Sequence, residues 1–185
     1  MAQQVNGHVY LQTSEYDTFE HWKQFLLTHG VNFDYSFGNQ CYDICALLYY
    51  QYGLTFYLGE LGYAYEAWTV SKSRNAKSPF IGIDNINDVK AGDLLVFGRG
   101  WSAYGHVTFA TEDYNGSGYI WTVGQNQGGG ISWGSPSTPH RFSVGLFLGA
   151  FRNTKWSTPS QPIMSRRKKG FPWFLVDWKR RNNVV

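Results

Sequence analysis

The hydrophobic pattern of this 185-residue chain changes from a helical period to a strand-like period part-way along the sequence. Between residues 17 and 52 apolar side chains recur at helical spacing, as at Phe19, Trp22 and Phe25. From residue 80 onward, short apolar runs are instead separated by turn residues. Helices followed by strands are typical of an α+β fold, in which the helices pack on one side of an antiparallel sheet.

Three helices and five strands are predicted from this pattern. The first helix begins at a capping box, Asp17-Thr-Phe-Glu20, and ends at Gly30. The second runs from about Gln40 to Tyr52, and a shorter third helix fits within residues 60–72. The strands are predicted at Leu94–Phe97, Val107–Thr111, Tyr119–Val123, Ile131–Trp133 and Val144–Phe151.

The charged side chains are distributed unevenly along the chain. Residues 1–156 carry 9 basic and 12 acidic side chains, whereas residues 157–185 carry 7 basic and 1 acidic. A general nucleic-acid-binding surface is therefore not indicated for the body of the protein. Because residues 157–163 have the composition of a linker, we predict a domain at 1–156, followed by a linker and a basic, aromatic extension at 157–185.

Several classes of protein are excluded. No apolar run approaches about 18 residues, so no membrane span is expected. The first residues lack the basic and apolar regions of a secretory signal, so any export is expected to use another route. Cys41 and Cys45 lie four residues apart on a predicted helix, a spacing that suits neither a disulfide nor a structural zinc site.

Cys41 is the residue that most suggests chemistry. It lies in the first turn of a predicted helix, where the helix dipole favours an anion and lowers a thiol pKa. A thiolate is the nucleophile needed to cleave an amide or an ester. The alternative is a buried cysteine that only packs, and we keep that interpretation for Cys45, one turn further along.

A cysteine nucleophile needs a base and a group that orients the base. His106 opens a predicted strand after the Tyr104-Gly105 turn, which places its side chain at a rim of the sheet. Asn126 follows the next strand, and hairpin pairing would return it to the same rim. The alternatives are a partly buried structural histidine and an asparagine that serves only the turn.

Five segments in order resemble CHAP domains, the cysteine- and histidine-dependent amidohydrolases/peptidases. The resemblance covers roughly residues 15–155, and the ordered set is more specific than any single motif. In chain order the segments are Gly38-Asn-Gln-Cys-Tyr-Asp43, Ala91-Gly-Asp-Leu-Leu-Val-Phe97, Gly105-His-Val-Thr-Phe-Ala110, Gly124-Gln-Asn-Gln-Gly-Gly-Gly130 and Leu148-Gly-Ala-Phe-Arg152.

The resemblance implies a papain-like α+β CHAP fold, of the NlpC/P60 type, with N-terminal helices packed on an antiparallel sheet. It implies that Cys41 is the nucleophile, that His106 is the general base and later the acid, and that Asn126 orients the imidazolium. Gln40 would lie in the oxyanion region, where the Cys41 backbone N–H would be the main donor.

The resemblance also implies a substrate and a location. Family members usually cut bacterial peptidoglycan, either as N-acetylmuramoyl-L-alanine amidases or as peptide endopeptidases, through a thioacyl-enzyme that needs no cofactor. The chain resembles a bacteriophage lysin, either an endolysin or a virion-associated enzyme. We expect it in the phage virion or in the host cytoplasm before release, acting at the bacterial cell wall. The lack of a wall-binding domain in this sequence favours a virion component.

One position departs from the family pattern. Many members have Glu-Gln-Asn where this chain has Gly124-Gln-Asn126, and the glutamate contacts the histidine. Without that acidic group we expect weaker stabilisation of the imidazolium, and lower or altered activity. Two alternatives therefore stay open: a catalytically weak or inactive CHAP-fold structural or binding protein of a phage particle, and a related cysteine peptidase that acts on protein.

Two further sites are suggested. Some phage CHAP domains bind calcium in the loop before the cysteine, and alternate positions of this loop carry oxygen ligands. Aromatic side chains near the predicted rim strands suit a substrate groove, although sheet packing is an equal alternative. The calcium ligands would come from Asn32, Asp34, Ser36, Gly38 and Asp43, and the groove from Trp101, Tyr104, Trp121 and Trp133.

The extension at 157–185 interleaves basic and aromatic residues. It could anchor an anionic wall polymer, dock on phage virion or tail proteins, contact nucleic acid, or simply be a solvated tail.

Overall fold

The computed structural model describes residues 3–127 and 136–156 of the chain. These residues form four α-helices: α1 Phe19–Thr28, α2 Cys41–Gln51, α3 Glu66–Thr69 and α4 Lys72–Asn75. The eight strands are β1 Gln3–Asn6, β2 His29–Asn32, β3 Phe80–Ile83, β4 Leu94–Phe97, β5 His106–Ala110, β6 Tyr119–Gly124, β7 Thr138–Ser143 and β8 Phe147–Asn153. Short 3-10 helices lie at Thr13–Glu15, Ile86–Asp88 and Val144–Leu146.

Six strands form one antiparallel sheet in the order β3-β8-β4-β5-β6-β7. β1 and β2 form a separate parallel pair. Within the large sheet Phe97, the last residue of β4, pairs with His106, the first residue of β5. His106 therefore lies at one rim of the sheet, as the sequence predicts.

The main hydrophobic core lies between the helices and one face of the sheet. Trp22 and Leu26 of α1 are fully buried in it, and so are most residues of α2 from Ile44 to Tyr49. Successive residues of β4 point to opposite faces: Leu94 lies in this core, whereas Leu95 belongs to a second cluster on the other face. Helices covering one face of an antiparallel sheet confirm the predicted α+β class.

The first helix is predicted correctly in extent, but its cap differs from the expected one. Thr18 is the N-cap residue, and its hydroxyl accepts a 3.1 Å hydrogen bond from the His21 backbone N–H. Asp17 instead contacts the His21 ring, one turn further along the same exposed face. Thr18 has the extended backbone of a cap residue, with φ −129° and ψ 160°, so the cap lies one residue later than predicted.

Two segments that the family resemblance singles out are joined by a buried ion pair. Asp93 precedes β4 and is almost fully buried. Its two carboxylate oxygens accept hydrogen bonds from Arg152 Nε at 2.8 Å and from a terminal Arg152 nitrogen at 2.7 Å. The pair therefore fixes the entry of β4 against β8, the strand beside it.

Several predicted elements differ from the structure. The single helix expected within residues 60–72 is two one-turn helices, α3 and α4, which end at Thr69 and Asn75. The strand predicted from Val144 begins at Phe147, because Val144–Leu146 forms a 3-10 turn. Four further strands were not predicted, because their sequences show no clear alternation of apolar and polar residues. They are β1, β2, β3 and β7. The strand predicted at Ile131–Trp133 lies outside the described residues.

No helix within the described residues is long and apolar enough to cross a membrane. The predicted division at residue 156 falls at the end of the described residues and stays a prediction.

Candidate active site

A cavity of about 1320 Å³ opens where the start of α2 meets the start of β5. Cys41, His106 and Asn126, which are distant in sequence, all line it. Gln40, the residue before α2, lines the same cavity. The structure therefore brings the four residues expected to act in catalysis to one place.

Cys41 is the first residue of α2. Gln40 precedes it as the N-cap, with an extended backbone, and its N–H donates to Asp43 Oδ2 at 2.6 Å. This contact closes the first turn of the helix and fixes the position of the Cys41 thiol. Cys45 is fully buried and its thiol donates to the Cys41 carbonyl, which agrees with a packing role only.

The resting state of the Cys41 thiol differs from the expectation. Burial raises the pKa of Cys41 to about 11, and the nearby Asp43 charge also raises it. Backbone N–H groups of Val107, Tyr42 and Cys41 lower the pKa, but they do not outweigh burial. The lowered pKa expected from the helix N-terminus is therefore corrected, and the free thiol is protonated at neutral pH. The contact with Val107 also places the sulfur beside the start of β5.

His106 is held at the rim of the sheet by its neighbours. Gly105, just before it, has φ +72°, and a Cβ there would lie 2.5 Å from the Phe97 carbonyl oxygen, so only glycine fits. The His106 ring stacks on Phe142 and lies 4.7 Å from the Trp101 ring, measured between centroids. Burial lowers the pKa of His106 to about 4, which leaves the imidazole neutral and able to accept a proton.

The group that contacts the His106 ring is Gln127, not Asn126. His106 Nε2 lies 3.0 Å from Gln127 Oε1, whereas Asn126 Nδ2 donates to Gln40 Oε1 at 3.0 Å. The positive φ of Asn126, +53°, turns the chain after β6, so that residues 126 and 127 reach different partners. The expected contact between Asn126 and the imidazole is therefore corrected. Sequence reasoning missed Gln127, although it lies in the expected segment.

The polar residues after β6 also connect the site to the rest of the fold. Gln125 is buried and bonds to both backbone groups of Val31, and its Nε2 also donates to the Gln40 carbonyl at 2.9 Å. Gln40 is thus held through its carbonyl by Gln125 and through its side chain by Asn126. Its own Nε2 donates to the Phe37 carbonyl at 2.7 Å. Both the oxygen and the nitrogen of the Gln40 side chain are therefore hydrogen-bonded.

The loop before Cys41 contains the residues expected to bind calcium. Asn32 is buried, and its side-chain oxygen and nitrogen have no hydrogen-bond partner among the described residues. Asp34 is exposed and its Oδ1 accepts from the Ser36 N–H at 2.8 Å. Asp43 accepts from the Phe33 N–H at 2.8 Å, and burial raises its pKa to about 7. Within residues 3–127 and 136–156, no three His, Cys, Asp or Glu side chains cluster as a metal site.

Two of the four expected groove aromatics line the cavity. Trp101 and Tyr104 do so and are largely exposed, so they are available to a ligand. Trp121 is half-exposed but is not among the cavity's lining residues, and Trp133 lies outside the described residues. Sequence reasoning missed one further stretch of the wall, the Thr55–Ala64 loop, because its residues show no periodicity.

The sequence between residues 30 and 126 matches the family model of the CHAP domain, over just more than half of the chain. The chain belongs to the CHAP family. The matched segment contains Cys41 and His106 and ends at Asn126, so the CHAP match coincides with the cavity described above.

Two relatives illustrate the similarity of this CHAP chain to phage proteins. It is 32% identical over 115 residues to a D-alanyl-L-alanine endopeptidase of Streptococcus phage B30, covering 60% of this chain and 25% of that protein. The chain therefore spans a quarter of the length of that curated relative. The crystal structure of a wild-type endolysin, LysIME-EF1, matches with a TM-score of 0.59 and 23% identity, over 76% of this chain and 64% of that one. This second likeness confirms the CHAP fold.

Proposed function

We propose that this CHAP domain is a bacteriophage peptidoglycan hydrolase that cleaves an amide bond of the bacterial cell wall with the Cys41 thiol. The observation that carries the proposal is that Cys41 and His106 line the same open cavity. His106 Nε2 is hydrogen-bonded to Gln127 there. The family match and the phage relative support the substrate class.

The hydrogen bond to Gln127 decides which nitrogen of His106 acts. Gln127 Oε1 can only accept, so His106 Nε2 carries the hydrogen and Nδ1 is left as the free acceptor. Nδ1 takes the proton from the Cys41 thiol as the sulfur attacks the amide carbonyl carbon. The same proton then passes to the leaving amine nitrogen as the C–N bond breaks. A water molecule, deprotonated by Nδ1, hydrolyses the thioester and returns the thiol.

The negative oxygen formed during attack needs nearby donors. The Cys41 backbone N–H is at the first position of α2, where helix N–H groups lack intrahelical partners. We assign it as the main oxyanion donor, in a place where the helix dipole also favours negative charge. Gln40 and Asn126 act on this region by holding the backbone before Cys41, because their side chains bond to each other.

Cleavage of a peptide bond is the better supported reaction. The phage relative is named as an endopeptidase, and the lining of the cavity includes Cys41, Tyr63 and Arg74. A stem peptide suits a cavity of this volume, and Arg74, which lines it together with Asp34 and Glu60, is the cation available to a peptide carboxylate. The alternative within the same chemistry is an N-acetylmuramoyl-L-alanine amidase.

Calcium is proposed as a structural ion of the loop before Cys41. The buried, unpartnered Asn32 oxygen fits the hard-cation chemistry of the site, as do the Asp34 and Asp43 carboxylates. The Asp43 carboxylate accepts backbone N–H bonds from Phe33, Gln40 and Asp34, which leaves part of its lone-pair capacity for a cation. The Ser36 and Gly38 carbonyls would complete the set. When bound, the ion would rigidify the loop that leads into Cys41.

The protein would be made in the host cytoplasm and would act at the cell wall, either after release or as part of the virion. In either case, the extension at 157–185 is proposed to contribute affinity for the wall or for phage virion or tail proteins.

The test is loss of turbidity of Gram-positive cell walls, followed by mass spectrometry of the released fragments. We expect clearing by the wild type and by Cys45→Ala, which removes a thiol outside the cavity, but none by Cys41→Ala. New peptide termini would identify an endopeptidase, and free lactyl-muramic acid ends would identify an amidase. Casein serves as the protein substrate for the competing cysteine-peptidase function. A folded, calcium-loaded wild type that clears no wall would overturn the proposal and favour an inactive structural protein of the phage particle.

A further inference from the structure

Gly124 is the position at which the chain departs from the CHAP pattern that it resembles, and other side chains fill the space beside it. A Cβ built on Gly124 would lie 2.6 Å from Thr108 Oγ1 and 2.9 Å from Gln127 Oε1. Both distances are too short for a real side chain. The Thr108 hydroxyl and the Gln127 amide oxygen together therefore occupy the space into which a side chain at position 124 would project.

Gln127 is held in that space by a buried network. The single hydrogen of the Thr108 hydroxyl is shared between the Val123 carbonyl at 2.9 Å and Gln127 Oε1 at 3.0 Å. Gln127 Nε2 donates to the Thr138 carbonyl and, at 3.4 Å, to Thr122 Oγ1. The Thr138 carbonyl can only accept, which fixes the orientation of the amide. Gln127 is itself only 4% exposed. Its oxygen is thus committed to Thr108 and to His106 Nε2.

We propose that Gln127 is the positioning residue of this active site, taking over from position 124 the role of orienting His106, and that Gly124 is required to make room for it. The inference rests on the proposed function, because a positioning role has meaning only if His106 is the base. The loss of an acidic residue at 124 is then a relocation of the orienting group rather than a sign of lost catalysis.

The relocation changes the charge of the orienting group. An amide oxygen accepts the Nε2–H bond and selects the same tautomer as a carboxylate would, but it brings no negative charge to stabilise an imidazolium. Among the titratable groups, His140 of β7 lies close enough to lower the pKa of His106, and Cys41 of α2 and Tyr104 of the preceding loop line the same cavity. No carboxylate of the described residues hydrogen-bonds to the ring. Base catalysis should therefore persist to lower pH than in an enzyme with a carboxylate at this place.

Four variants test the proposal on the full chain, with the calcium concentration fixed. Gln127→Glu keeps the size and adds a charge, and it replaces the Nε2 donor to the Thr138 carbonyl with an oxygen. Gln127→Leu removes the hydrogen bond to His106. Gly124→Glu places an acidic side chain in the occupied space, and Gly124→Glu combined with Gln127→Gly rebuilds the other arrangement. Gln24→Glu, on the exposed face of α1, is the matched charge control.

Two readouts are needed: kcat and KM as functions of pH on purified walls, and nitrogen NMR of the His106 ring. For Gln127→Leu we expect kcat to fall by about 10–100-fold with little change in KM, together with loss of the single Nε2–H tautomer. For Gln127→Glu we expect the acidic limb of the kcat profile and the His106 titration to move together to higher pH, by about one unit or more. Gly124→Glu should be impaired, and adding Gln127→Gly should restore only the part of the loss that the Gln127 oxygen causes, because the Thr108 hydroxyl still faces position 124.

Thermal melting of each variant separates misfolding from mispositioning, and the near-isosteric Gln127→Glu keeps the test decisive if Gln127→Leu does not fold. Wild-type kcat and an unchanged His106 titration in Gln127→Leu and Gln127→Glu would overturn the inference. If the wild type fails to cleave any wall, the proposed function fails, but the NMR titration still reports whether Gln127 sets the tautomer and pKa of His106.

Discussion

Asn126 Nδ2 donates a 3.0 Å hydrogen bond to Gln40 Oε1, across 86 positions of the sequence. The contact joins the turn after β6 to the residue that caps α2, directly before Cys41. Asn126 therefore contacts the residue before the proposed nucleophile, while its neighbour Gln127 contacts the proposed base. The sequence suggested the contact with the base for Asn126 and no role for Gln127.

Removing the Asn126 side chain should weaken catalysis without changing His106. Asn126→Gly is the suitable variant, because glycine accepts the positive φ of +53° without strain. We expect a fall in kcat of about tenfold, in the range seen for loss of support to an oxyanion donor, and an unchanged acidic limb of the pH profile. A shift of the His106 titration in this variant would show that Asn126 does contact the imidazole.

Protonation of His106 should make the folded protein less stable in mild acid. The folded-state pKa of His106 is lowered to about 4, below the 6.5 of an unfolded histidine. Between these values the unfolded chain binds a proton that the folded chain does not. The free energy of unfolding is therefore unaffected by His106 above pH 6.5 and decreases as the pH falls from 6.5 towards 4. We expect the free energy of unfolding to lose about 2 kcal/mol from this residue between pH 7.5 and pH 5.

Urea unfolding of the wild type and of His106→Gln at both pH values isolates that loss, because all other titrating groups are shared. The stability difference between the two proteins should change by about 2 kcal/mol in the direction that disfavours the wild type at pH 5. A difference that does not change with pH would mean that His106 titrates normally in the folded state.

The outline of the fold, and the presence of Cys41 and His106 in one cavity, were predictable from the sequence, because both depend on local pattern. Helical periodicity marked α1 and α2, and short apolar runs marked β4, β5 and β6. β7 could not be predicted in this way, because its residues Thr138–Ser143 are mostly polar and gain their strand from pairing with β6. Edge strands of this kind are set by tertiary contacts rather than by composition.

The identity of the orienting residue and the resting charge of the thiol needed the three-dimensional structure. Asn126 and Gln127 are neighbours of similar chemistry, and only the left-handed turn at Asn126 decides which one faces His106. The helix N-terminus at Cys41 was visible in the sequence, but the burial that outweighs its effect on the thiol pKa was not. Motifs of this type identify the reacting groups more reliably than they identify the electrostatic balance around them.

Calcium should stabilise the folded protein through the loop before Cys41. We expect added calcium to raise the melting temperature relative to a chelator control, and Asp34→Asn to remove that rise while leaving the calcium-free protein folded. Asp34 is the informative position because it is exposed and makes only a local turn contact. An equal melting temperature with calcium and with chelator would lead us to abandon the site.

Breaking the buried ion pair between Asp93 and Arg152 should destabilise the sheet without touching the cavity. Arg152→Met leaves the Asp93 carboxylate buried without its charged partner, and we expect a loss of about 3 kcal/mol in the free energy of unfolding. Asp93→Asn combined with Arg152→Met should cost less than the sum of the single changes, because no uncompensated charge remains. Additive losses would indicate that the two side chains contribute independently.

The basic extension should determine where the enzyme acts rather than what it does. Truncation after residue 156 keeps Trp156, which packs on Phe19 and Phe109 in the core, and removes only residues 157–185. Those residues carry 7 of the 16 basic side chains, so their attraction to an anionic wall should be strong at low salt and screened at high salt. We expect the truncated protein to sediment less with walls or phage particles at low salt, while its kcat on soluble wall fragments is unchanged. Full binding without the extension would exclude an anchoring role, and loss of kcat would mean that the extension supports the catalytic domain itself.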